Sequence, residues 1–318
     1  MISEKTDTLS GAMPLTGYKD SKPTRIIFDA DTTMGIPDCD IDDGLALFYA
    51  LGFAKQNPGD VFIEGICTSF GNSTIEAVYK ATNQVCRDLD LIVPILKGAG
   101  SSDQPISDAS HYIVDMAEAF PSELTLAVTG STTNLKGALL LDNDVLSKYQ
   151  QVVLMGGITQ SLVFNGQIMD ELNWSCDPEA SLVVLEAANR GAKIVVFTAN
   201  NCLEARFYPQ EFSDYLKLPI EDGGYLWRTC ASWFDTMQRW YGYEGFICWD
   251  VLVMAWILDP WLFEDQPFDA LLDPQLMKAG FIQPAFDGAP QASIITPRIR
   301  DARAFSERYY ELWRAAMG

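Results

Sequence analysis

The chain of 318 residues is 48% hydrophobic, which is enough for a large buried core in one α/β domain or two smaller ones. Its 43 acidic and 22 basic residues give a net charge of −21, and such a surface repels nucleic-acid backbones and anionic lipid, so we discount nucleic acids and membranes as partners. The seven cysteines form no CxxC pair and the longest apolar runs are too short to cross a bilayer, so the sequence predicts a cytoplasmic protein with free thiols.

Predicted strands and helices alternate along the first 200 residues. Six short apolar runs lack clean alternation, which is typical of strands buried on both faces; they are 24–31, 61–69, 91–98, 124–130, 151–157 and 193–201. Helix-like segments lie between most of them, at 43–56, 74–88, 110–119, 133–141 and 178–190. The pattern predicts a single α/β domain with an open, mostly parallel central sheet covered by helices. We expect this domain to span 23–318 after an N-terminal arm of residues 1–22, with a short strand and a helix after Ser293.

Nearly every predicted strand ends in small or polar residues, in the order DAD, SFGN, KGAG, TGSTTN, MGG and TANN. In open parallel sheets, ligands bind beyond the carboxyl ends of the strands. We therefore expect these endings to converge on one pocket. Asp29 and Asp31 would end the first strand, and Asp42 and Asp43 would begin the next helix.

The first of these endings opens an unusually acidic stretch. Six of its fifteen residues are aspartates, namely Asp29, Asp31, Asp38, Asp40, Asp42 and Asp43. One aspartate at a helix start needs no explanation beyond capping and the helix dipole. Several close together repel one another, and a hard cation such as Ca²⁺ or Mg²⁺ is the usual remedy because it prefers oxygen ligands. The stretch therefore predicts a metal site.

Two enzyme families begin with a strand of this kind. The segment DADTT (29–33) fits the DxDx[TV] motif of haloacid-dehalogenase-type Mg²⁺ phosphatases, but the later strand ends supply neither the lysine nor the acidic pair which that family needs. The stretch better resembles the opening of the nucleoside hydrolases, commonly DTDPGxDDALAL. Here it reads Asp29-Ala30-Asp31, then Gly35, then Asp42-Asp43-Gly44-Leu45-Ala46-Leu47. The main departure is an insertion between Thr32 and Ile41, which leaves the role of Asp40 open.

Further segments resemble the nucleoside hydrolases in the same order. GICTSFGN (65–72) is similar to GITTVAGN, and TGSTTN (129–134) is similar to TGPLTN. VLMGG (153–157) precedes NGQIMDELNWSCDPEA (165–180), which resembles GNxxxxxEFNxxxDPEA, and CWDVLVMAWILDP (248–260) resembles HDPxAVAxLIDP. The resemblance spans roughly residues 24 to 260.

The resemblance implies a Rossmann-like α/β core and Ca²⁺-dependent hydrolysis of the N-glycosidic bond of ribonucleosides, in enzymes that are usually homodimers or homotetramers. By this resemblance Asp31 would be both calcium ligand and general base. The other calcium ligands would be Asp43, Asp250 and the backbone carbonyl of Thr133. The residues expected to bind the substrate are Asp42, Asn72, Asn165, Glu171, Asn173 and Trp249.

Simpler interpretations of the same residues stay open at this point. Glu171 and Asn173 also suit a helix-capping pair, and Asp250 suits an ordinary N-cap. A non-catalytic nucleoside- or sugar-binding protein would keep the sugar-binding residues and would have no need of Asp31.

The proton donor for the leaving base is the main gap in the resemblance. Many nucleoside hydrolases carry a histidine just before the last calcium aspartate, where this chain has Trp249. Its one histidine, His111, lies on another predicted helix, and we expect it at the surface or at a helix start. Tryptophan at this position resembles the purine-preferring branch and predicts stacking on a purine. The region from Gly98 to His111 lacks the family's HGxxG-like loop, so the pocket wall is expected to differ.

Overall fold

Fifteen strands and ten α-helices occur in the computed structural model, which describes residues 22–216, 224–285 and 290–317. The strands are β1 (Thr24–Ala30), β2 (Val61–Thr68), β3 (Ile95–Leu96), β4 (Leu124–Val128), β5 (Gln151–Met155), β6 (Leu162–Phe164), β7 (Gln167–Met169), β8 (Ile194–Phe197), β9 (Arg206–Phe207), β10 (Phe246–Ile247), β11 (Phe263–Glu264), β12 (Pro267–Leu271), β13 (Gln283–Pro284), β14 (Ala292–Ile295) and β15 (Arg298–Ile299). The helices are α1 (Asp42–Gln56), α2 (Ile75–Asp88), α3 (Asp108–Ala119), α4 (Thr133–Leu141), α5 (Pro178–Glu186), α6 (Pro209–Leu216), α7 (Gly224–Tyr241), α8 (Val251–Leu258), α9 (Pro274–Met277) and α10 (Ala302–Met317). The expected N-terminal arm lies outside the described residues, except for Lys22.

Nine of the described strands form one sheet, in the order β13-β12-β14-β8-β5-β4-β1-β2-β3. From β14 to β3 every neighbouring pair is parallel, whereas β12 pairs antiparallel with β14 and with β13. All six strands predicted from the first part of the sequence lie in the parallel portion. The predicted single α/β domain with a mostly parallel central sheet is therefore confirmed. The strand and helix expected after Ser293 correspond to β14 and α10.

Two predicted elements are shorter than expected. The strand predicted at 91–98 contracts to the two residues of β3, because Pro94 lacks an amide hydrogen for a sheet ladder and Ile92 is 97% exposed. The helix predicted at 178–190 ends as an α-helix at Glu186. A 3₁₀ turn, Ala187–Arg190, continues it and stops at Gly191, whose φ of 93° is the left-handed conformation that commonly ends helices.

The helices cover both faces of the sheet and enclose two apolar clusters. One cluster packs α1, α8 and α10 together, so α1 is buried on nearly all sides. The other lies under α3, α4 and α5. Helix α10 approaches α1 closely at Gly52, where an added Cβ would lie 2.0 Å from the carbonyl oxygen of Leu312. None of the described helices has the length and apolar character needed to span a membrane.

A buried ionic cluster fixes the position of α8. Asp259, directly after this helix, accepts hydrogen bonds from the hydroxyl of Tyr49 at 2.9 Å and from Nε of Arg308 at 2.9 Å. Tyr49 lies on α1 and Arg308 on α10, so one carboxylate joins three helices. This arrangement also fixes Asp250, the residue that immediately precedes α8.

Candidate active site at the carboxyl ends of the strands

A cavity of about 280 Å³ lies beyond the carboxyl ends of the central strands. Its wall includes residues that follow β2, β4, β5 and β8, which agrees with the expected convergence of the strand ends. Polar groups form one part of the lining, and they include Asp40, Asp42, Asn72, Thr129, Asn173 and Asp250. Large apolar and aromatic groups form the rest, and they include Leu162, Trp233, Met237, Tyr241, Phe246 and Trp249.

Asp31 lies one residue after β1, is fully buried and does not itself line the cavity, but it contacts Asn72, which does. Its Oδ2 accepts the backbone N–H of Asn72 at 2.6 Å, and its Oδ1 accepts the side-chain amide of Asn72 at 3.1 Å. Burial raises the pKa of Asp31 to about 6, although the backbone N–H of Asn72 opposes the shift. Gly71 permits this contact, because an added Cβ there would lie 2.0 Å from Oδ2 of Asp31. The result is an oriented carboxylate that ionises near neutral pH.

Asp42, Asp43 and Asp250 bring one carboxylate oxygen each to within 4.8 Å of one another. Asp42 and Asp43 are the first residues of α1, and Oδ2 of Asp42 accepts the backbone N–H of Asp250 at 3.2 Å. Burial and the neighbouring carboxylates raise the pKa of Asp43 and of Asp250 well above the usual range. Asp31 interacts with both Asp42 and Asp43. Oxygen donors packed this closely suit a hard divalent cation, whose charge offsets their repulsion.

Asp29 lies beneath this group and does not border the cavity. Its two carboxylate oxygens accept hydrogen bonds of 3.2 and 3.1 Å from the side-chain amide of Asn134, and burial raises its pKa to about 8. The same amide donates to the carbonyl oxygen of Thr68 at 3.0 Å. Asn134, the last residue of TGSTTN, therefore joins the ends of β1 and β2, a role that the sequence analysis missed.

The structure brings Thr129 rather than Thr133 to the carboxylates. Thr133 is the first residue of α4 and donates its hydroxyl to Asp177 at 2.8 Å, and it does not line the cavity. Thr129 lines the cavity and donates its hydroxyl to Oδ1 of Asp43 at 2.5 Å. Thr129 is the first residue of the motif TGSTTN and Thr133 is the fifth, and Thr129 directly follows β4. The hydroxyl of Thr129, and not that of Thr133, therefore contacts the carboxylates, and the carbonyl oxygen of Thr129 accepts the side-chain amide of Asn173.

Glu171 and Asn173 both border the cavity, but their polar groups are partly engaged by the protein itself. Glu171 accepts backbone N–H groups from Gly157, Trp174 and Ser175 at 3.0, 2.9 and 2.8 Å, so it closes its own turn. The simpler interpretation of Glu171 and Asn173 as a helix-capping pair is wrong, because the N-cap of α5 is Asp177. The side-chain amide of Asn173 donates to the carbonyl oxygen of Thr129 at 2.8 Å. Asn173 therefore has its side-chain oxygen to offer to a ligand, whereas Glu171 has little acceptor capacity left.

Asn165 is not brought to the cavity. It occupies the tip of the β6–β7 hairpin with a φ of 47°, next to Gly166 with a φ of 81°, and its side chain is exposed. Its side-chain amide donates to the carbonyl oxygens of Tyr241 and Gly242 at 3.1 and 2.8 Å. These positions correct the expectation that it binds the sugar, because the asparagine-glycine pair forms a hairpin turn instead.

Aromatic residues from two places complete the lining. Trp249 borders the cavity as expected, directly after β10. Helix α7 adds Trp233, Met237 and Tyr241, and the sequence analysis predicted neither this helix nor these residues. His111 is exposed on α3 and does not border the cavity, in agreement with the expectation.

The insertion also reaches the site. Asp40 lines the cavity beside Asp42, and burial followed by the charge of Asp42 raises its pKa well above the usual range. The backbone carbonyl of Asp40 accepts the hydroxyl of Thr33 at 2.7 Å, which closes the insertion on itself.

Comparison of sequences gives a consistent relationship. The family model described as inosine-uridine preferring nucleoside hydrolase matches residues 26–280. The chain is 28% identical over 178 residues to the pyrimidine-specific ribonucleoside hydrolase RihB of Escherichia coli strain SE11, a match that covers 47% of this chain and 55% of RihB. The chain thus spans about half the length of the curated relatives it matches.

Solved structures share the fold over nearly the whole chain. A plant nucleoside hydrolase, PpNRh1, aligns with a TM-score of 0.75 and 20% identity, covering 92% of this chain and 99% of that one. A purine-preferring ribonucleoside hydrolase from Gardnerella vaginalis aligns with a TM-score of 0.74 and 19% identity, covering 93% and 100%. At this level of identity the similarity establishes the fold alone.

Proposed function

The chain belongs to the inosine-uridine preferring nucleoside hydrolase family, and we propose that it hydrolyses the N-glycosidic bond of ribonucleosides to free base and ribose. The observation that carries the proposal is the position of Asp31. It is a buried carboxylate that interacts with Asp42 and Asp43 and is oriented by Asn72, a residue that lines a cavity with polar and aromatic walls. The cleavage develops positive character on the ribose, so a water molecule must be deprotonated on one face of the sugar.

Asp31 is the proposed general base. A base works best when its pKa lies near the working pH, and burial places that of Asp31 at about 6. The two N–H donors of Asn72 fix both oxygens of this carboxylate, so its orientation is set before any substrate arrives. A protein that only binds nucleosides has no need of such a group.

Ca²⁺ is the proposed cofactor. The donor set fits it, because Asp43 and Asp250 are buried carboxylates that repel each other unless protons or a cation intervene. We propose Asp43 and Asp250 as ligands together with Asp31, which interacts with Asp43, and we propose the carbonyl of Thr129 in place of that of Thr133 because the hydroxyl of Thr129 already contacts Asp43. When bound, the ion supplies positive charge that balances these carboxylates and acidifies a coordinated water molecule.

Substrate binding is proposed to divide between the two parts of the cavity wall. Asp42 and the side-chain oxygen of Asn173 would accept ribose hydroxyls, and Asn72 would lie beside the sugar. Glu171 borders the cavity and would act chiefly by holding the turn that carries Asn173.

Purine nucleosides are the proposed substrates. The names of the relatives point both ways, to pyrimidines for RihB and to purines for the Gardnerella protein, so the proposal rests on the aromatic lining. Trp249 and Trp233 offer large π faces, and stacking contributes roughly 1–3 kcal/mol per base.

A phosphatase is the alternative that DADTT raised, and the cavity argues against it. Among the described residues that line the cavity, none is a lysine or an arginine, so nothing there offsets the charge of a phosphate monoester. Ribose release from inosine, with and without a chelator, tests the proposal directly. Phosphate release from p-nitrophenyl phosphate without ribose release would replace it with the phosphatase.

An assembly of two or four copies in the cytoplasm is the last part of the proposal. It follows from the family resemblance, and the seven free cysteines suit a reducing compartment. Light scattering of the purified protein tests the assembly, and a monomer at micromolar concentration would refute it.

A further inference from the structure

Helix α7 forms one wall of the cavity through residues spaced four apart. Trp233, Met237 and Tyr241 recur at helical spacing, so they lie on one face of α7, and all three border the cavity. The distance between this face and the rest of the lining sets the width of the aromatic part. Contacts that hold α7 in place therefore determine the width of the aromatic part of the cavity.

The first contact that holds α7 comes from the insertion. Oδ1 of Asp38 accepts the hydroxyl of Thr236 at 2.7 Å and also accepts a guanidinium N–H of Arg239. Thr236 is fully buried on α7, and Arg239 lies about one turn beyond Thr236 on the same helix. Asp38 adopts a φ of 61°, a left-handed conformation that disfavours residues other than glycine. The insertion therefore has a strained backbone at the residue whose carboxylate contacts α7.

The second contact comes from the β6–β7 hairpin. The side-chain amide of Asn165 donates to the carbonyl oxygens of Tyr241 and Gly242, which are among those left without helical partners where α7 ends. Phe164, the neighbouring residue, packs against Tyr241 and Tyr243 with ring centroids 6.1 and 5.5 Å apart. The hairpin therefore caps the end of α7 and packs against it.

We propose that Asp38 and Asn165 are positioning residues that hold α7 against the cavity and thereby set the affinity for the base of the nucleoside. Neither residue lines the cavity, so each acts through Trp233, Met237 and Tyr241. The inference rests on the proposed function and deepens it. It gives a role to the insertion Thr32–Ile41, which departs from the family pattern, and to Asn165, which the structure removes from the sugar site.

The test compares two ligands that differ only in the base. Because the proposed hydrolase would consume inosine, binding of inosine and of D-ribose is measured by calorimetry in the presence of CaCl₂ with every variant carried in the Asp31→Asn background. Asp38→Ala and Thr236→Val remove the first contact, and Asn165→Gly removes the second while it keeps the left-handed turn. Asp38→Asn and Thr236→Ser retain a hydrogen-bonding group and serve as conservative rescues. Arg303→Ala, which breaks an exposed pair with Glu307 on α10, is the remote control.

Each disruptive variant is expected to raise the Kd of inosine by about fivefold to tenfold, the scale of one or two net hydrogen bonds, with a change below about twofold for D-ribose. The rescues and Arg303→Ala should stay close to the Asp31→Asn parent. Equal weakening of both ligands would show general structural damage and overturn the inference, as would an unchanged Kd for inosine.

Amide hydrogen exchange separates this inference from the proposed function. If these contacts hold the helix, Asp38→Ala and Asn165→Gly are expected to increase amide exchange in α7 more than in α1 when no ligand is present. Unchanged exchange would overturn the positioning role even in an active hydrolase. If the wild type released no ribose and bound no inosine, the proposed function would be overturned, and so would the claim that Asp38 and Asn165 set the affinity for the base. Amide exchange would still decide whether these two residues hold α7 in place.

Discussion

Asn72 holds both oxygens of Asp31, through its backbone N–H at 2.6 Å and its side-chain amide at 3.1 Å. The carboxylate therefore has one fixed orientation, and a nearly isosteric substitution tests its chemistry without disturbing its volume. Asp31→Asn is expected to keep the fold and to lower kcat for inosine by about 10²–10⁴, the usual contribution of a general base. Circular dichroism and steady-state ribose release measure both. Full activity in Asp31→Ala would refute the mechanism.

The buried carboxylates predict an inverse dependence of stability on pH in metal-free protein. Burial raises the pKa of Asp31 to about 6 and that of Asp29 to about 8, from a usual value of 3.8. The folded state then binds protons more tightly than the unfolded chain, so this stabilisation is fully present below about pH 4 and is lost as the pH rises from about 4 to about 8. Thermal unfolding of chelator-treated protein is expected to show a Tm contribution from these groups that declines across that window.

Added Ca²⁺ should compete with those protons. Because ligands must be deprotonated to bind a metal, the increase in Tm with Ca²⁺ is expected to be larger near pH 8 than near pH 5. Asp250→Asn removes one member of the close carboxylate group and should reduce that increase. An increase that is equal at both pH values would contradict a calcium site built from these carboxylates.

The parallel sheet and the cluster of aspartates could be predicted from the sequence because both depend on local patterns. Continuous apolar runs ended by polar residues marked the parallel strands, and the aspartates beginning at Asp29 marked the site. Helix α7 was not predicted, although its apolar residues keep helical spacing, because the alternation of strands and helices that guided the prediction covers only the first 200 residues. Asn165 was misassigned because a spacing shared with a family motif outweighed a local signal, asparagine-glycine between two apolar triplets, that favours a hairpin.

Thr129 and Thr133 form a matched pair that tests which threonine serves the metal site. Thr129→Val removes the hydroxyl that donates to Asp43 and is expected to weaken Ca²⁺ binding and activity by about tenfold, the scale of a hydrogen bond to a charged group. Thr133→Val removes a buried bond to Asp177, the N-cap of α5, and should cost about 1 kcal/mol of stability with little change in kcat. Calcium titration and chemical denaturation of both variants decide which hydroxyl supports the acidic cluster, because valine keeps the backbone carbonyl at either position, and the reverse result would assign that support to Thr133.

Ribose recognition predicts discrimination against deoxynucleosides. Asp42 and the side-chain oxygen of Asn173 border the cavity as buried acceptors, and a site of this kind rejects an analogue that leaves them unpaired. Inosine is therefore expected to have a much higher kcat/KM than 2′-deoxyinosine, and Asn173→Ala should narrow that ratio. Equal rates on the two nucleosides would remove the sugar-binding assignment but would leave Asp31 as the proposed base.

Base preference is proposed to depend on Trp249. It borders the cavity where many family members have a histidine, whereas His111 is exposed on α3 and does not line the cavity. No histidine is thus placed to protonate the leaving base. The proposed substitute is stacking of the base on the indole of Trp249, which would favour protonation of a purine ring nitrogen by solvent.

The wild type should prefer inosine, adenosine or guanosine over uridine and cytidine. Trp249→Ala is expected to lower kcat/KM for inosine by about tenfold to a hundredfold, the equivalent of about 1–3 kcal/mol of stacking, while His111→Ala serves as the neutral control. Values of kcat/KM for inosine and uridine on the three proteins test this, and wild-type hydrolysis of uridine at an equal or higher rate would refute the stacking account while the enzyme class stood.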